Sequence, residues 1–253
     1  MTANWEAFTE KTIDVAEVRL LGLVDFRSLL MLQKLMVHEV RLQSRLSAAV
    51  LLCEHPAVVT SGSDSSILDL PADARELDAL SIRNHRVHRE GGTVFHQPGQ
   101  LAVYVIVSLA ECGFGENEFR WRLQDAIIAG CSDAQVTAQR DSGDPDVITG
   151  RHGLICETAI GIDRGVTTFG AFLNVNCRLD QAVLFGRGLR GRRISSVNAE
   201  RVRPVPMSQV RASMAQHVCE FMGYPEYHLH TGHPFLRRSQ QLANNVAHQD
   251  SDD

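Results

Sequence analysis

The stretch REGGTVFHQPGQLAVY, residues 89–104, places paired glycines, a histidine and a Pro-Gly turn directly ahead of a run of strand-forming residues. Glycine adopts backbone conformations with positive φ and leaves no side chain between the chain and a ligand. The Pro-Gly turn closes the segment at its other end, so His96 lies on a short stretch that is held on both sides. Two interpretations are open here: a loop that passes closely over an extended ligand, or an ordinary pair of β-turns with a capping histidine.

Strand and helix patterns alternate on both sides of this stretch. Residues 26–43 carry apolar side chains at helical spacing, whereas residues 101–109 form an apolar run of strand length. Further strands are predicted at 17–25 and in two pieces within 48–62, and further helices at 117–131 and 208–223, the last with Ser208 as its N-cap. This order of elements predicts a single α/β domain with a mixed sheet.

The composition of the 253-residue chain argues against several classes of protein. A net charge of −5 argues against binding nucleic acid. No apolar run approaches the roughly 18 residues that span a membrane, and the polar N-terminus has no signal-peptide core. Six cysteines without a CxxC pair indicate a reduced, cytoplasmic protein. Residues 237–253 carry little apolar content and are predicted to be a disordered tail, which leaves 1–236 as the domain.

A run of histidines near the end of the domain is a candidate metal site. His228, His230 and His233 are close enough in sequence to ligate Zn²⁺. The only acidic neighbour is Glu226, and a metal-free surface segment is the favoured interpretation. We therefore expect neither a metal nor another cofactor.

Four segments, in order along the chain, resemble the octanoyl/lipoyl protein transferases, the family known as lipoate-protein ligase B. Residues 89–100 are similar to its signature R-G-G-x-V-T-Y-H-G-P-G-Q, with Glu90 and Gln97 in place of glycines and Phe95 in place of tyrosine. LLCEHPAVVTSG resembles L-x-x-E-H-P-x-V-x-T-x-G, and GVTTFGAFLNVN resembles V-T-x-H-G-x-A-L-N-V-N. LGLVDFRSLLMLQ resembles the family's opening strand and helix.

The resemblance implies the biotin/lipoate-ligase fold, a mixed sheet flanked by helices with a groove for an acyl chain. It implies transfer of an octanoyl or lipoyl group from acyl carrier protein to a lysine of a lipoyl domain, without a cofactor. In the family a cysteine attacks the thioester and a lysine faces that cysteine, which stabilises the thiolate. The residues that the resemblance places around the acyl group are Arg89, Gly91, Gly92, His96, Gly99 and Gln100.

Both halves of that catalytic pair are missing from the expected positions. The family's cysteine falls at Gly188 or Arg187, depending on the anchor used for counting. Its lysine falls at Leu154 without gaps, or at Cys156 when the Ala-Ile-Gly steps are aligned. Phe169 also stands where the family has a histidine. An ATP-dependent ligase of the same fold would need a lysine on this strand as well.

Two thiols are candidates for a relocated nucleophile. Cys177 follows the Asn-Val-Asn segment, and Cys156 lies on the strand that lacks the lysine. The alternative is that both are packed thiols, since free cysteine commonly behaves as a small hydrophobic residue.

The segment that replaces the cysteine loop, GRGLRGRR, interleaves arginines with glycines. Arg187, Arg190 and Arg192 form a candidate site for a phosphate, a carboxylate or an acidic partner surface, because the arginine guanidinium makes bidentate hydrogen bonds to such anions. The alternative is a solvated basic hairpin.

Two functions therefore remain open. In one, the protein is an acyltransferase of the lipoylation pathway whose catalytic groups have moved. In the other, it is a catalytically inactive relative that binds an acyl group, an acyl carrier or a lipoyl domain.

Overall fold

The computed structural model describes residues 15–42, 46–65, 77, 79–80, 82–185 and 193–237. The strands are β1 Ala16–Leu23, β2 Ala48–Glu54, β3 Val58–Ser61, β4 Arg83–Arg86, β5 Thr93–His96, β6 Gln100–Val107, β7 Gln139–Arg140, β8 Val147–Thr149, β9 Leu154–Asp163, β10 Val166–Asn174 and β11 Tyr227–Thr231. The helices are α1 Phe26–Leu42, α2 Leu109–Cys112, α3 Glu116–Asp133, α4 Leu179–Phe185 and α5 Met207–Phe221.

Within these residues the strands form one large and one small sheet. The large sheet has the order β11-β1-β2-β6-β10-β9-β8-β7, in which β1 pairs in parallel with β2 and β11 and the other neighbours are antiparallel. The small sheet has the order β4-β3-β5, with β3 parallel to β4 and antiparallel to β5. The predicted mixed sheet is confirmed.

Strand β6, which follows the glycine-rich stretch, lies between β2 and β10 and is buried along its whole length. Successive residues of a strand point to opposite faces, so its side chains divide between two cores. Leu101, Val103, Val105 and Val107 enter the first core, and Ala102, Tyr104 and Ile106 enter the second. An apolar run without polar alternation is thus what a strand covered on both faces requires.

Helices cover both faces of the large sheet. Helices α3 and α5 pack against each other and against the first core, through residues such as Phe119, Leu123, Met214 and Val218. Helix α1 covers the second core with Leu29, Leu32 and Met36, and the small sheet contributes Val58 and Val94 to the same core. The glycine-rich stretch therefore lies where the small sheet packs against the large one.

Most of the predicted helices and strands are confirmed, and one predicted N-cap residue is wrong. Helix α5 begins at Met207 with Pro206 as its N-cap residue, so the expected N-cap, Ser208, is wrong. Proline restricts the preceding turn and its own φ is close to the helical value, which allows it to lead into a helix.

No helix in the described ranges is both long and apolar enough to cross a membrane. The predicted tail lies outside the described residues except for Arg237, and the domain boundary stays a prediction.

Candidate active site

Residues from the separate sequence segments converge on one small pocket, which we call the polar pocket. Its lining residues are Phe95, Gln100, Leu154, Glu157, Phe172, Asn174, Ala182 and Ile194, around about 320 Å³ of space that includes its open mouth. The cavity itself, about 20 Å³, has room for about one water molecule and lies well below the roughly 300–1,000 Å³ typical of small-molecule sites. The wall is largely apolar, and its polar side chains are Gln100, Glu157 and Asn174.

A continuous chain of hydrogen bonds holds one wall of the polar pocket. Arg89 Nη2 donates to Thr60 Oγ1 at 2.9 Å, and Thr60 Oγ1 lies 2.9 Å from His96 Nε2. His96 Nδ1 lies 2.9 Å from Gln100 Oε1. Gln100 Nε2 then donates to Asn174 Oδ1 at 3.1 Å, and Asn174 Nδ2 donates to the backbone of the segment after α4.

The chain fixes the tautomer of His96. Gln100 Oε1 has only lone pairs to offer, so His96 Nδ1 carries the proton and Nε2 accepts from the Thr60 hydroxyl. Burial, and then the electrostatic influence of His55 and Arg89, hold the pKa of His96 well below its usual range, so the ring is neutral. Both ring nitrogens are thus used within the protein, and His96 positions Gln100, whose side chain reaches the pocket.

Arg89 lies beneath the glycine loop with its side chain 3% exposed. Besides Thr60 Oγ1, its guanidinium donates to the backbone oxygens of Thr60 and Glu90. Burial lowers the pKa of Arg89 to about 10, and the negative charge of Glu157 is the largest influence that raises it. The side chain therefore remains charged at neutral pH while it anchors the loop from below.

The Gly91–Gly92 loop is clamped by the end of strand β3. The amide of Gly62 donates to Gly92 O at 3.1 Å, that of Ser63 to Arg89 O at 2.9 Å, and that of Asp64 to Gly91 O at 3.2 Å. A Cβ on Gly62 would lie 2.4 Å from Gly91 O, so only glycine allows this approach. The Thr-Ser-Gly end of the LLCEHPAVVTSG segment therefore supports the glycine loop of the signature.

The Pro-Gly turn docks on the Asn-Val-Asn segment in a similar way. The amides of Val175 and Asn176 both donate to Gly99 O at 3.0 Å. Gly99 has φ +90°, and a Cβ there would lie 2.7 Å from the backbone of Asn176 and Cys177. Glu54 Oε2 accepts from the Gly99 amide at 2.7 Å and its other oxygen pairs with Arg211. Two motifs distant in sequence are joined through this turn.

The histidine of the Glu-His-Pro motif, His55, also has partners within the protein for both of its ring nitrogens. His55 Nδ1 lies 2.7 Å from Val24 O and therefore donates to it, while Nε2 lies 2.9 Å from Tyr104 Oη. Burial lowers the pKa of His55 to about 4, so it is neutral. Cys53 Sγ lies 3.6 Å from His55 Nε2, but Cys53 is fully buried and burial raises the pKa of its thiol far above its usual value.

Glu157 differs from the other polar side chains of the pocket. Its carboxylate makes no hydrogen bond and no ion pair with any described residue, and the side chain is partly exposed. Burial raises the pKa of Glu157 to about 7; Arg89 acts in the opposite direction, and Asp144 and Asp146 raise it further. At neutral pH this group is therefore divided between its acid and its base forms.

A β-bulge brings Glu157 and Leu154 to the same pocket. The pairing of β9 with β8 shifts between Ile148–Cys156 and Thr149–Leu154, so an extra residue is inserted in β9. Residues three apart in a regular strand point to opposite faces, and the bulge removes that difference. The position that gap-free counting assigns to the family's lysine is thus on the pocket wall, where this chain has leucine.

Neither candidate thiol lies in an activating environment. Cys156 is fully buried in the first core, and burial raises its pKa well above the usual value. Cys177 is 8% exposed beside the Gly99 turn, and burial raises its pKa to about 11. A nucleophilic cysteine needs the opposite shift. The assignment of either as nucleophile stays a prediction.

A larger cleft opens next to the glycine loop, between α1, the end of β4 and the β9–β10 hairpin. We call it the α1 cleft; it encloses about 1030 Å³ including open solvent and is lined by Leu30, Gln33, Lys34, Arg86, Val87, His88, Ile162, Asp163, Thr168 and Phe169. Phe169, which replaces the family's histidine, has φ +60° and donates its amide to Gln33 Oε1 at 3.1 Å. A phenylalanine with positive φ is held in an unfavourable conformation by its surroundings.

The sequence also offered an arginine-rich candidate site for an anion or a partner and a histidine-rich candidate metal site. Arg187, Arg190 and Arg192 lie outside the described residues, so their binding role stays a prediction. His228 and His230 lie on the exposed edge strand β11 with ring centroids 6.4 Å apart, and His233 Nδ1 accepts from the Phe235 amide. Among the described residues no group of three potential ligands is placed to hold a metal ion.

Sequence reasoning placed Arg89, His96 and Gln100 together, and the structure brings them into one hydrogen-bonded chain. It missed Thr60, which links two of them, and Glu157. The only signal for Glu157 was an acidic residue inside a mostly apolar strand, and this pattern does not show whether such a residue is paired.

Comparison with known proteins shows the family of the chain. The family model of the lipoyl protein ligase A/B catalytic domain matches residues 26–219. An octanoyltransferase of Roseiflexus sp. (strain RS-1) is 32% identical over 206 residues, 79% of this chain and 84% of the relative. An octanoyltransferase of Acidobacterium capsulatum is 35% identical over 194 residues, 71% of this chain and 78% of the relative.

The fold has solved counterparts at lower sequence identity. A lipoate-protein ligase A bound with ATP superposes with a TM-score of 0.69 at 15% identity, over 88% of this chain and 92% of the other. A putative lipoate protein ligase of T. acidophilum, with bound lipoic acid, gives 0.67 at 15% identity, over 91% and 95%. These likenesses confirm the predicted fold. From the family match and the relatives above 30% identity, the chain belongs to the lipoyl protein ligase A/B catalytic domain family.

Proposed function

We propose that this protein transfers an octanoyl or similar medium-chain acyl group from acyl carrier protein to a lysine of a lipoyl domain. The observation that carries the proposal is the polar pocket, because the signature, the Asn-Val-Asn segment and strand β9 all contribute side chains to it. The relatives named octanoyltransferase support the same reaction class.

The pocket has the chemical character that this reaction needs. Phe95, Leu154 and Phe172 provide apolar walls that exclude water from a reacting thioester. Gln100 and Asn174 are held by their hydrogen bonds, so the positions of these two side chains are set before a ligand arrives. In this proposal the Gly91–Gly92 loop covers the acyl group, and Arg89 and His96 support the loop and the wall.

The acyl chain itself requires an apolar surface beyond the pocket. The α1 cleft offers such a surface in Leu30, Val87, Ile162 and Phe169. We propose that Arg187, Arg190 and Arg192, which lie outside the described residues, bind acidic surfaces of an acyl carrier or a lipoyl domain.

The test is an acyl-transfer assay with purified components. Octanoyl-acyl carrier protein and a lipoyl domain are incubated with and without the protein, and the mass of the lipoyl domain is followed. The expected result is a gain of one octanoyl group that requires the protein and disappears when the target lysine is changed to arginine. Stable binding of the donor without any transfer would contradict the proposal and identify a binding protein instead.

A further inference from the structure

We propose that Glu157 is the catalytic base of this protein, and that it takes the proton from the acceptor lysine so that the acyl group passes directly from donor thioester to amine. The inference rests on the proposed acyl transfer. It assigns the chemistry to a carboxylate on β9, rather than to a thiol, and it requires no acyl-enzyme intermediate.

The position and pairing of Glu157 carry this assignment. It lines the polar pocket together with Gln100 and Asn174, whose amide groups are all engaged within the protein. The Glu157 carboxylate has no hydrogen bond or ion pair in the part of the chain that the structure describes. It is therefore the polar group of the pocket wall that is left available to a bound ligand.

The surroundings give the carboxylate enough basicity to act. Leu154, Phe172 and the other apolar lining residues raise the cost of its charge, and its pKa lies at about 7. The charged groups that face it are Arg89 from the glycine loop and Asp144 and Asp146 from the segment before β8. A general base works best when its pKa lies near the operating pH.

The neutral lysine amine attacks the thioester carbonyl carbon, and the new C–N bond forms while the C–S bond breaks. Glu157 takes one N–H proton and delivers it to the departing sulfur, which leaves an amide and a free thiol. The proton that the lysine ammonium lost before the attack goes to solvent, so Glu157 ends in its starting form.

The experiment compares wild type with Glu157→Gln, which keeps the size of the side chain and removes the base. Glu118→Gln, an exposed change on α3, is the matched control. We expect Glu157→Gln to lower kcat by about 10²- to 10⁴-fold, with little change in the affinity for octanoyl-acyl carrier protein, and Glu118→Gln to match wild type. Glu157→Asp should lie between these, because it keeps a carboxylate at a shorter reach.

The pH profile separates a base from a structural residue. Below pH 7 both Glu157 and the lysine amine must lose a proton, so log(kcat/KM) for the lipoyl domain should rise with a slope of about two and fall to about one above pH 7. In Glu157→Gln the slope should be about one throughout. A Glu157→Gln variant that keeps the wild-type rate or slopes would overturn the inference alone, whereas a wild type without any transfer would overturn the proposed function and this inference with it.

Discussion

The two sides of the polar pocket differ in how their polar groups are satisfied. On the signature side, Gln100 and Asn174 belong to a hydrogen-bonded chain that runs back through His96 to Thr60 and Arg89. On the β9 side, Glu157 has no such partner among the described residues. Buried polar groups in proteins are usually paired, so the first side explains the shape of the site and the second indicates where its chemistry takes place.

The largest effect on stability is expected where the signature side is anchored. Gly99→Ala places a Cβ about 2.7 Å from the backbone of Asn176 and Cys177 and also strains the turn at φ +90°. Gly113→Ala is the matched control, because Gly113 has φ +72° with no atom within 4 Å of the added Cβ. We expect the left-handed backbone conformation to lower the free energy of unfolding by roughly 1–2 kcal/mol in both variants. At Gly99 the close contact should lower it by about 1–3 kcal/mol more.

Urea unfolding of both variants measures this difference as a change in the free energy of unfolding. A loss at Gly99 no larger than at Gly113 would contradict the close docking of the turn on the Asn-Val-Asn segment. The signature side would then not owe its shape to that contact.

A substitution on the β9 side should instead stabilise the protein, because the Glu157 carboxylate destabilises the fold. The folded-state pKa of Glu157, about 7, lies above the ordinary value of 4.5, so the folded protein retains a proton that the unfolded chain has lost. The free energy of unfolding should therefore fall as pH rises from about 4.5 to about 7. Above pH 7, Glu157→Gln should be more stable than wild type by roughly 1–3 kcal/mol.

Urea unfolding at several pH values checks this prediction, with Glu118→Gln as the control. The advantage of Glu157→Gln should shrink towards pH 4.5. A variant that loses stability at pH 8 would mean that the carboxylate has a partner in the folded state, and the contrast between the two sides would fail.

The smallest effect is expected for the thiol beside the Gly99 turn. Burial raises the pKa of Cys177 to about 11, so very little thiolate exists at neutral pH. Cys177→Ala should keep the rate of octanoyl transfer within about twofold of wild type in the assay for the proposed function. A loss of transfer, with normal stability, would restore Cys177 as the nucleophile.

The parts of the site that the sequence reveals are those with a strong local signal. The apolar run of β6 and the glycines at Gly91 and Gly99 follow from backbone and burial requirements that act within a few residues. Their arrangement could be predicted for that reason, and the family resemblance added which distant segments meet.

The parts that the sequence did not reveal depend on contacts across the fold. The bulge in β9 places Leu154 and Glu157 on one wall, and strand periodicity alone would separate them. The burial of Cys156 in the first core agrees with the packed thiol that the sequence left open as an alternative. Whether Glu157 has a partner depends on side chains from other elements, which no local pattern records.

The most direct test of the whole account is a single-turnover experiment in which the masses of the protein and of the lipoyl domain are followed together. Octanoyl-acyl carrier protein is mixed first with the protein alone and then with the lipoyl domain. We expect no octanoyl adduct on the protein at any time, and octanoylation of the lipoyl domain at a rate that Glu157→Gln reduces about 10²- to 10⁴-fold. An octanoyl adduct that forms on the protein and then passes to the lipoyl domain would contradict it.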